Sequence, residues 1–135
     1  MHPLDPVPAI RHIQTSRDNV FAVDIVGEVT SADVENLYGL LEGAYELHDQ
    51  LDILVRATQF ESIDWSGVSE ATMREGREHA EAHVRRCATV GGPDWTRQLN
   101  GFFAPSTPVE IRYFAAEDEA EAWAWIDARE IPEDI

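Results

Sequence analysis

From Val34 onward, apolar residues return every third or fourth position, at Leu37, Tyr38, Leu41, Ala44, Tyr45 and His48, while Glu35, Glu42, Glu46 and Asp49 take the other sides. This spacing predicts the strongest helix of the chain, with a stripe wide enough to lie across a sheet. Tyr38 and Tyr45 read as amphipathic residues at the edge of a core. Thr30, with Asp33 three positions on, reads as the helix cap. Upstream, apolar and polar residues alternate over Ile10 to Ile13 and Val20 to Val26, with turn formers from Ser16 to Asn19 between them, which predicts a β-hairpin. Phe21, Val23 and Ile25 fall on one face of its second strand and Val20, Ala22, Asp24 and Val26 on the other. That strand is therefore expected inside the sheet.

The pattern changes at Leu51 to Val68, LDILVRATQFESIDWSGV, which reads as a strand, a polar bend and a helix start at Asp64 to Gly67. The helix from Ser69 to Val84 has only a thin apolar stripe of Met73, Gly76, Ala80 and Val84, so it is expected to cover little of the core. Arg86 to Val90 is a further short strand, stopped by Gly91-Gly92-Pro93-Asp94. A helix carrying Trp95, Leu99, Phe102 and Phe103 is expected next, ended by Pro105 and Pro108. Val109 to Phe114 alternates as a strand, and Ala116 to Arg129 follows as an acidic, alanine-rich helix. In it Trp123 and Trp125 point about 160° apart, so only one can face the core. The order predicts an α/β fold: a mixed sheet of about five strands, antiparallel in the hairpin and parallel thereafter, flanked by about four helices. Residues 1–9, with three prolines, are expected as an extended arm, 10–129 as a single domain and 130–135 as a loose acidic tail.

Composition narrows what such a domain can do. A chain of 135 residues that is 44% hydrophobic has the size of one domain with its own core. Its formal charge of -16, from 26 acidic against 10 basic side chains, repels phosphate backbones and anionic headgroups. Nucleic acid is not an expected partner. The single cysteine, Cys87, allows no internal disulfide, and neither a signal peptide nor an apolar run of about 20 residues is present. These features predict a soluble cytoplasmic protein with no transmembrane segment, whose membrane contact can only be peripheral.

Candidate chemistry is sparse. His79 and His83 stand four apart, as a zinc pair requires, but Glu81 lies about 200° round the helix from His79 and structural zinc wants four ligands. The expected reading is a solvated, partly ion-paired face with no metal. The glycine pair at Gly91 and Gly92 lacks the spacing and lysine of a phosphate loop, so no nucleotide or other cofactor is expected. Carboxylates are scattered, Cys87 reads as packing, and a set of Ser66, His79 and Asp64 lacks the Gly-x-Ser-x-Gly elbow. No catalytic residue is assigned and no enzymatic activity expected. There remain aromatics at two strand ends, Phe60 and Trp65 after one and Trp95, Phe102 and Phe103 after another, which a β-α arrangement could bring round one apolar mouth. Trp95 and Phe102 also suit the buried stripe of their helix, whereas Phe60 and Trp65 read as loop aromatics without a periodic reason. The expected function is binding of a small apolar molecule or lipid at these five residues.

Gly27-Glu-Val-Thr30 ahead of an acidic helix, the His48 to Val55 join, Arg86-Cys-Ala-Thr-Val-Gly91 followed by Asp94-Trp95, and the Trp-Ile ending of Ala120 to Ile126 resemble the SpoIIAA-like family. That family is a distant relative of STAS domains with links in shape to lipid-carrying CRAL-TRIO domains. The resemblance spans Val20 to Ile126 and implies a mixed sheet flanked by helices, no known catalysis, and binding of small apolar ligands or association with membranes. It also implies an alternative. Anti-anti-sigma factors carry Asp-Ser-Ser-Gly at this junction, and the serine before the glycine is phosphorylated to control partner binding. Here the residues are Asp64-Trp65-Ser66-Gly67, with Ser66 in that position, so partner-switch signalling through phosphorylated Ser66 competes with a plain helix cap at Ser66. The departures are Trp65 and the continuation Val68-Ser-Glu-Ala71. Both readings leave room for a protein partner, a homodimer and peripheral membrane contact.

Overall fold

A computed structural model describes residues 10–64, 66–92 and 108–131. The alternating segments form β1 (Ile10–Ile13), β2 (Val20–Val29), β3 (Leu51–Ile63), β4 (Val84–Gly91) and β5 (Glu110–Phe114), which lie side by side in sequence order in one sheet. β1 runs antiparallel to β2 and every other pair is parallel, as expected. Three α-helices occur among the described residues, against about four expected: α1 (Ser31–Leu47), α2 (Glu70–His83) and α3 (Glu119–Trp125). The segment from Trp95 to Phe103, expected as the fourth, lies outside the described residues.

The alternation in β2 and β3 divides the core in two. Phe21, Val23 and Ile53 pack with Tyr45 of α1 and Ala80 of α2 on one face. Val20, Ala22, Leu54, Ala88 and Val90 pack with Ala122, Trp123 and Ile126 on the other. Trp123 is thus the tryptophan that enters the core. Trp125 lies at the margin beside Phe114, with the guanidinium groups of Arg86 and Arg112 at 5.6 and 5.5 Å from its ring centroid, where cations are attracted to the face of the indole.

The face under α3 also collects charge. The chain has no lysine, so its ten cations are all arginine. Arg56 on β3 bonds Asp24 of β2, Glu119 at the start of α3 and Glu130. One strand residue pair away from Leu54, the wholly buried Asp52 accepts a two-pronged bond from Arg85 at 3.2 and 2.9 Å and another from Arg86 at 3.1 Å, with Arg17 at 3.5 Å. Arg86 and Arg17 donate onward to the carbonyls of Trp125 and Ile126 at 2.6 and 2.7 Å. The short α3 is therefore held by arginines at both ends, with cations at its C-terminus where the helix dipole favours them. It stops because Asp127, at φ 56, turns left-handed, and the amides of Asp127 and Ala128 bond back to the carbonyls of Ala124 and Trp123. The helix expected from Ala116 to Arg129 is thus shorter at both ends, with a 3-10 turn over Ala116–Asp118 before it. Beyond it, Glu130 bridges Thr15, and the amide of Ile131 donates to the Gln14 carbonyl at 2.8 Å. The first two residues of the segment expected as a loose tail are thereby tied to the hairpin.

β2 and β3 both run further than the pattern predicts. β2 continues past Gly27, which takes φ 73 between two register shifts, a bulge that glycine accommodates without strain. β3 continues through Gln59, Phe60, Ser62 and Ile63, paired to Val26, Gly27, Glu28 and Val29, with Glu61 as the extra residue at the second register shift. Polar residues suit this stretch because most of its side chains reach solvent. No helix among the described residues is long and apolar enough to cross a membrane.

Candidate functional site: an apolar cavity beneath two helices

The capping box predicted at Thr30 is present: its hydroxyl accepts from the Asp33 amide at 3.2 Å, and the Asp33 carboxylate accepts from the Thr30 amide at 2.9 Å. Its placement points Leu37, Tyr38, Leu41 and Tyr45 of α1 at the sheet. α2 has little to offer opposite them, since its stripe there is Gly76 and Ala80. β4 presents the small side chains of Cys87 and Thr89 on the same face. Large residues on one element and small ones on its neighbour, above the sheet, leave a cavity of about 140 Å³. No charged residue occurs among its described lining residues.

Tyr38, Tyr45, Tyr113 and Thr89 are the hydroxyl-bearing residues among the described lining. The hydroxyls of Tyr38 and Tyr45 are buried, and among the described residues neither has a hydrogen-bond partner. Such a group forgoes its bonds to water, at a cost of about 1–3 kcal/mol each. Burial raises the Tyr45 phenol well above its ordinary value, with Glu42, Cys87 and Tyr38 adding to the shift, and burial likewise raises Tyr38 against the opposing charge of Arg77. Both therefore keep their protons and remain donors. Burial also pushes the Cys87 thiol up to about 12, which leaves it protonated and inert as a nucleophile.

The Tyr45 ring is fixed from behind. It stacks on His83, with centroids 4.7 Å apart and planes 11° from parallel, and His83 Nδ1 lies 2.9 Å from the Asp49 carbonyl. His79 pairs instead with Glu42 of α1, whose hydrogen bond holds the imidazole above its ordinary value. The two histidines thus serve as separate ties between helices. Among the described residues no group of three or more histidine, cysteine, aspartate or glutamate side chains is arranged to hold a metal.

The junction after β3 lies at the same end of the sheet as the first turn of α1. Ser31 Oγ donates to the Asp64 carbonyl and accepts from the Gly67 amide, both at 2.9 Å. A Cβ at Gly67 would stand 2.7 Å from Ser31 Oγ and 2.8 Å from its Cβ. Gly67→Ala is expected to destabilise the fold by about 1–3 kcal/mol in urea unfolding, with partial recovery when Ser31→Gly is added. A loss that Ser31→Gly leaves untouched would place the strain elsewhere. Ser66 is exposed, and its amide and hydroxyl donate to Asp64 Oδ1 at 3.0 and 2.6 Å. These two bonds hold the Asp64 carboxyl below the usual carboxylate range. Ser66 does not cap α2. That role belongs to Ser69, whose hydroxyl accepts from the Thr72 amide at 3.1 Å.

Of the five aromatics expected to form an apolar mouth, Trp65, Trp95, Phe102 and Phe103 lie outside the described residues. Phe60 is not on a loop: it is a β3 residue opposite Gly27, packed near Ile25, Val29 and Val34, and it does not line the cavity. The long strand overrode the local reading because β2 lies alongside it as far as Ile63, with Gly27 opposite Phe60.

The sequence profile of the SpoIIAA-like family matches residues 20–127. The chain belongs to the SpoIIAA-like family. Its fold is similar to that of an uncharacterized protein from the DUF3478 family of Shewanella loihica PV-4, which has a SpoIIAA-like fold. The two agree with a TM-score of 0.62 and 24% sequence identity, over 87% of this chain and 92% of that one. No curated protein matches the sequence. In this SpoIIAA-like chain the cavity occupies the layer between the parallel strands and the helices of the first two crossovers, α1 and α2.

Proposed function

We propose that this SpoIIAA-like chain is a non-catalytic domain that binds a small apolar molecule in the cavity between the sheet and the α1–α2 layer. The observation that carries this reading is the contrast between the two faces of one sheet. Under α3, Trp123 and Ile126 pack on Leu54, Ala88 and Val90 beside the Asp52 ion cluster. Under α1 and α2, an uncharged hollow of about 140 Å³ is left. Cores of this size normally close such voids, because each forfeits packing energy. An apolar hollow is a binding site of the usual kind, with few polar groups.

The test uses benzene as probe, titrated into the isotope-labelled full chain. Amide and methyl shifts are expected at Tyr45, Ile53 and Ala80, with none at the Asp52 cluster on the opposite face. In parallel, native mass spectrometry of the protein from its own host is expected to reveal a small non-covalent adduct. Absence of both the shifts and the adduct would sink the reading.

A second reading is favoured by the exposure of Ser66 at the junction. A phosphate on Ser66 would stand against the Asp64 carboxylate and break both of its bonds to Ser66, loosening the turn that Ser31 ties to α1. Partner binding unchanged in both Ser66→Asp and Ser66→Ala would exclude this switch.

A further inference from the structure

The volume of the cavity and the chemistry of its wall together select a class of occupant. We infer that the occupant is a compact hydrocarbon of about six to eight carbons, carrying no hydrogen-bonding group, and that the site selects it by offering solvated groups no partner. This rests on the apolar-ligand reading above and makes it chemically specific, because it sets aside alcohols, acids and acyl lipids.

Volume sets the scale. An engineered apolar cavity of about 150 Å³ takes one benzene, and the hollow here is about 140 Å³. A six-membered ring, bare or with a short apolar substituent, fills it, whereas a full acyl chain does not. Charge sets the second limit. A carboxylate would enter a space with no cation among its described lining residues, in a chain of formal charge -16. An unpaired buried ion costs far more than the apolar contacts return.

The third limit comes from where the polar atoms of the wall point. The hydroxyl oxygens of Tyr38 and Tyr45 are buried, so it is their rings that border the hollow and not their oxygens. The stack on His83 holds the Tyr45 ring in that orientation, and Tyr38 is held against Gly76, where an added Cβ would stand 3.1 Å from its ring. Thr89 is itself buried, and Cys87 keeps a protonated thiol, which is a weak partner. Of the hydroxyl-bearing residues among the described lining, Tyr113 alone is exposed, and it marks where the lining reaches the surface. A hydroxyl or carbonyl on an occupant therefore leaves its bonds to water and gains none in return. One such stranded group lowers affinity by about ten- to a hundredfold. A hydrocarbon strands nothing, and it recovers dispersion contacts from Phe21, Val23, Leu41 and Ile53.

The experiment compares four probes on the full chain by calorimetry and ligand-observed resonance: toluene, its near-isostere phenol, benzoate and palmitate. Toluene is expected to bind, and benzoate and palmitate to leave the protein unchanged. Any apolar medium prefers toluene to phenol, so the size of the preference is what decides. Octanol can hydrogen-bond a phenol and an alkane cannot. A wall without partners behaves as the alkane does, and the preference for toluene should exceed that of octanol over water by at least about tenfold. In Tyr45→Phe and Tyr38→Phe the ratio of the two affinities is expected to stay as it is, because neither oxygen meets the ligand. The wild-type ratio decides by itself should either variant not fold. A preference no greater than that of octanol, phenol affinity lost in either variant, or benzoate or palmitate binding as tightly as toluene would overturn this inference while leaving an apolar site standing. Failure of all four probes to bind would remove the apolar-ligand reading itself.

Discussion

Asp52→Ala is expected to destabilise the protein by about 3 kcal/mol in urea unfolding at neutral pH. The Asp52 side chain is wholly buried, and three arginines converge on it. Removing one partner of a buried ionic cluster costs about 3–5 kcal/mol, because the charges left behind have no counterpart. The lower end applies here, since Arg85 is 53% exposed and can return to water. Arg86 cannot do so as freely, and it also holds the Trp125 carbonyl, so the end of α3 should loosen with it. The same cluster sets an acid limit. Burial alone would raise the Asp52 carboxyl, but hydrogen bonds from Arg85 and Arg86, and then their charges, outweigh it and hold the group below its ordinary value of 3.8. A carboxyl depressed in the folded state contributes stability that is present above its unfolded value and is lost as pH falls through the folded one. Wild-type stability should therefore fall as pH drops below about 4, with a limb that is missing in Asp52→Asn. A loss under about 1 kcal/mol for Asp52→Ala would mean that the arginines find other partners.

Ala80→Leu is expected to move stability and binding in opposite directions. Ala80 lines the cavity from α2 and is 7% exposed. A leucine there keeps helix propensity and adds three buried carbons, each worth about 0.8 kcal/mol when the space is free. Part of that gain is lost to imperfect fit, so the ligand-free variant should be more stable by about 1 kcal/mol and melt a few degrees higher. Benzene affinity should fall at least about tenfold, since the added side chain takes the volume the probe requires. Thermal melts with and without benzene read both effects, because a ligand that binds only the folded state raises the melting temperature in proportion to its affinity. A variant that melts lower and still binds benzene would show that Ala80 does not border the occupied space.

Much of the fold is legible in local pattern because burial on both faces of a strand and on one side of a helix leaves different periods. The two faces of β2, the capping box at Thr30 and the hairpin all follow from residues within one element. The failures occur where a distant partner decides. Gln59 to Ser62 look like a bend, but β2 lies alongside and turns them into strand. Ser66 has the composition of a cap, but three further residues pass before α2 begins. Of the aromatics expected at the site, Phe60 is placed on β3 away from the cavity, and the other four lie outside the described residues. The cavity is made by what is small, namely Gly76, Ala80, Cys87 and Thr89, and small residues leave only a thin stripe as their sign. That stripe was visible in α2 as a helix that covers little core. Its consequence depends on which large residues stand opposite.

The family and the parallel sheet with its antiparallel hairpin are legible in the chain itself. These are properties of residue type and short-range spacing. Tertiary packing brings Trp123 rather than Trp125 into the core, gathers three arginines on Asp52, and buries the Tyr38 and Tyr45 hydroxyls away from any partner among the described residues. The reason is physical: an empty volume and an unsatisfied donor are both relations among elements brought together from distant parts of the chain, and no single segment contains them.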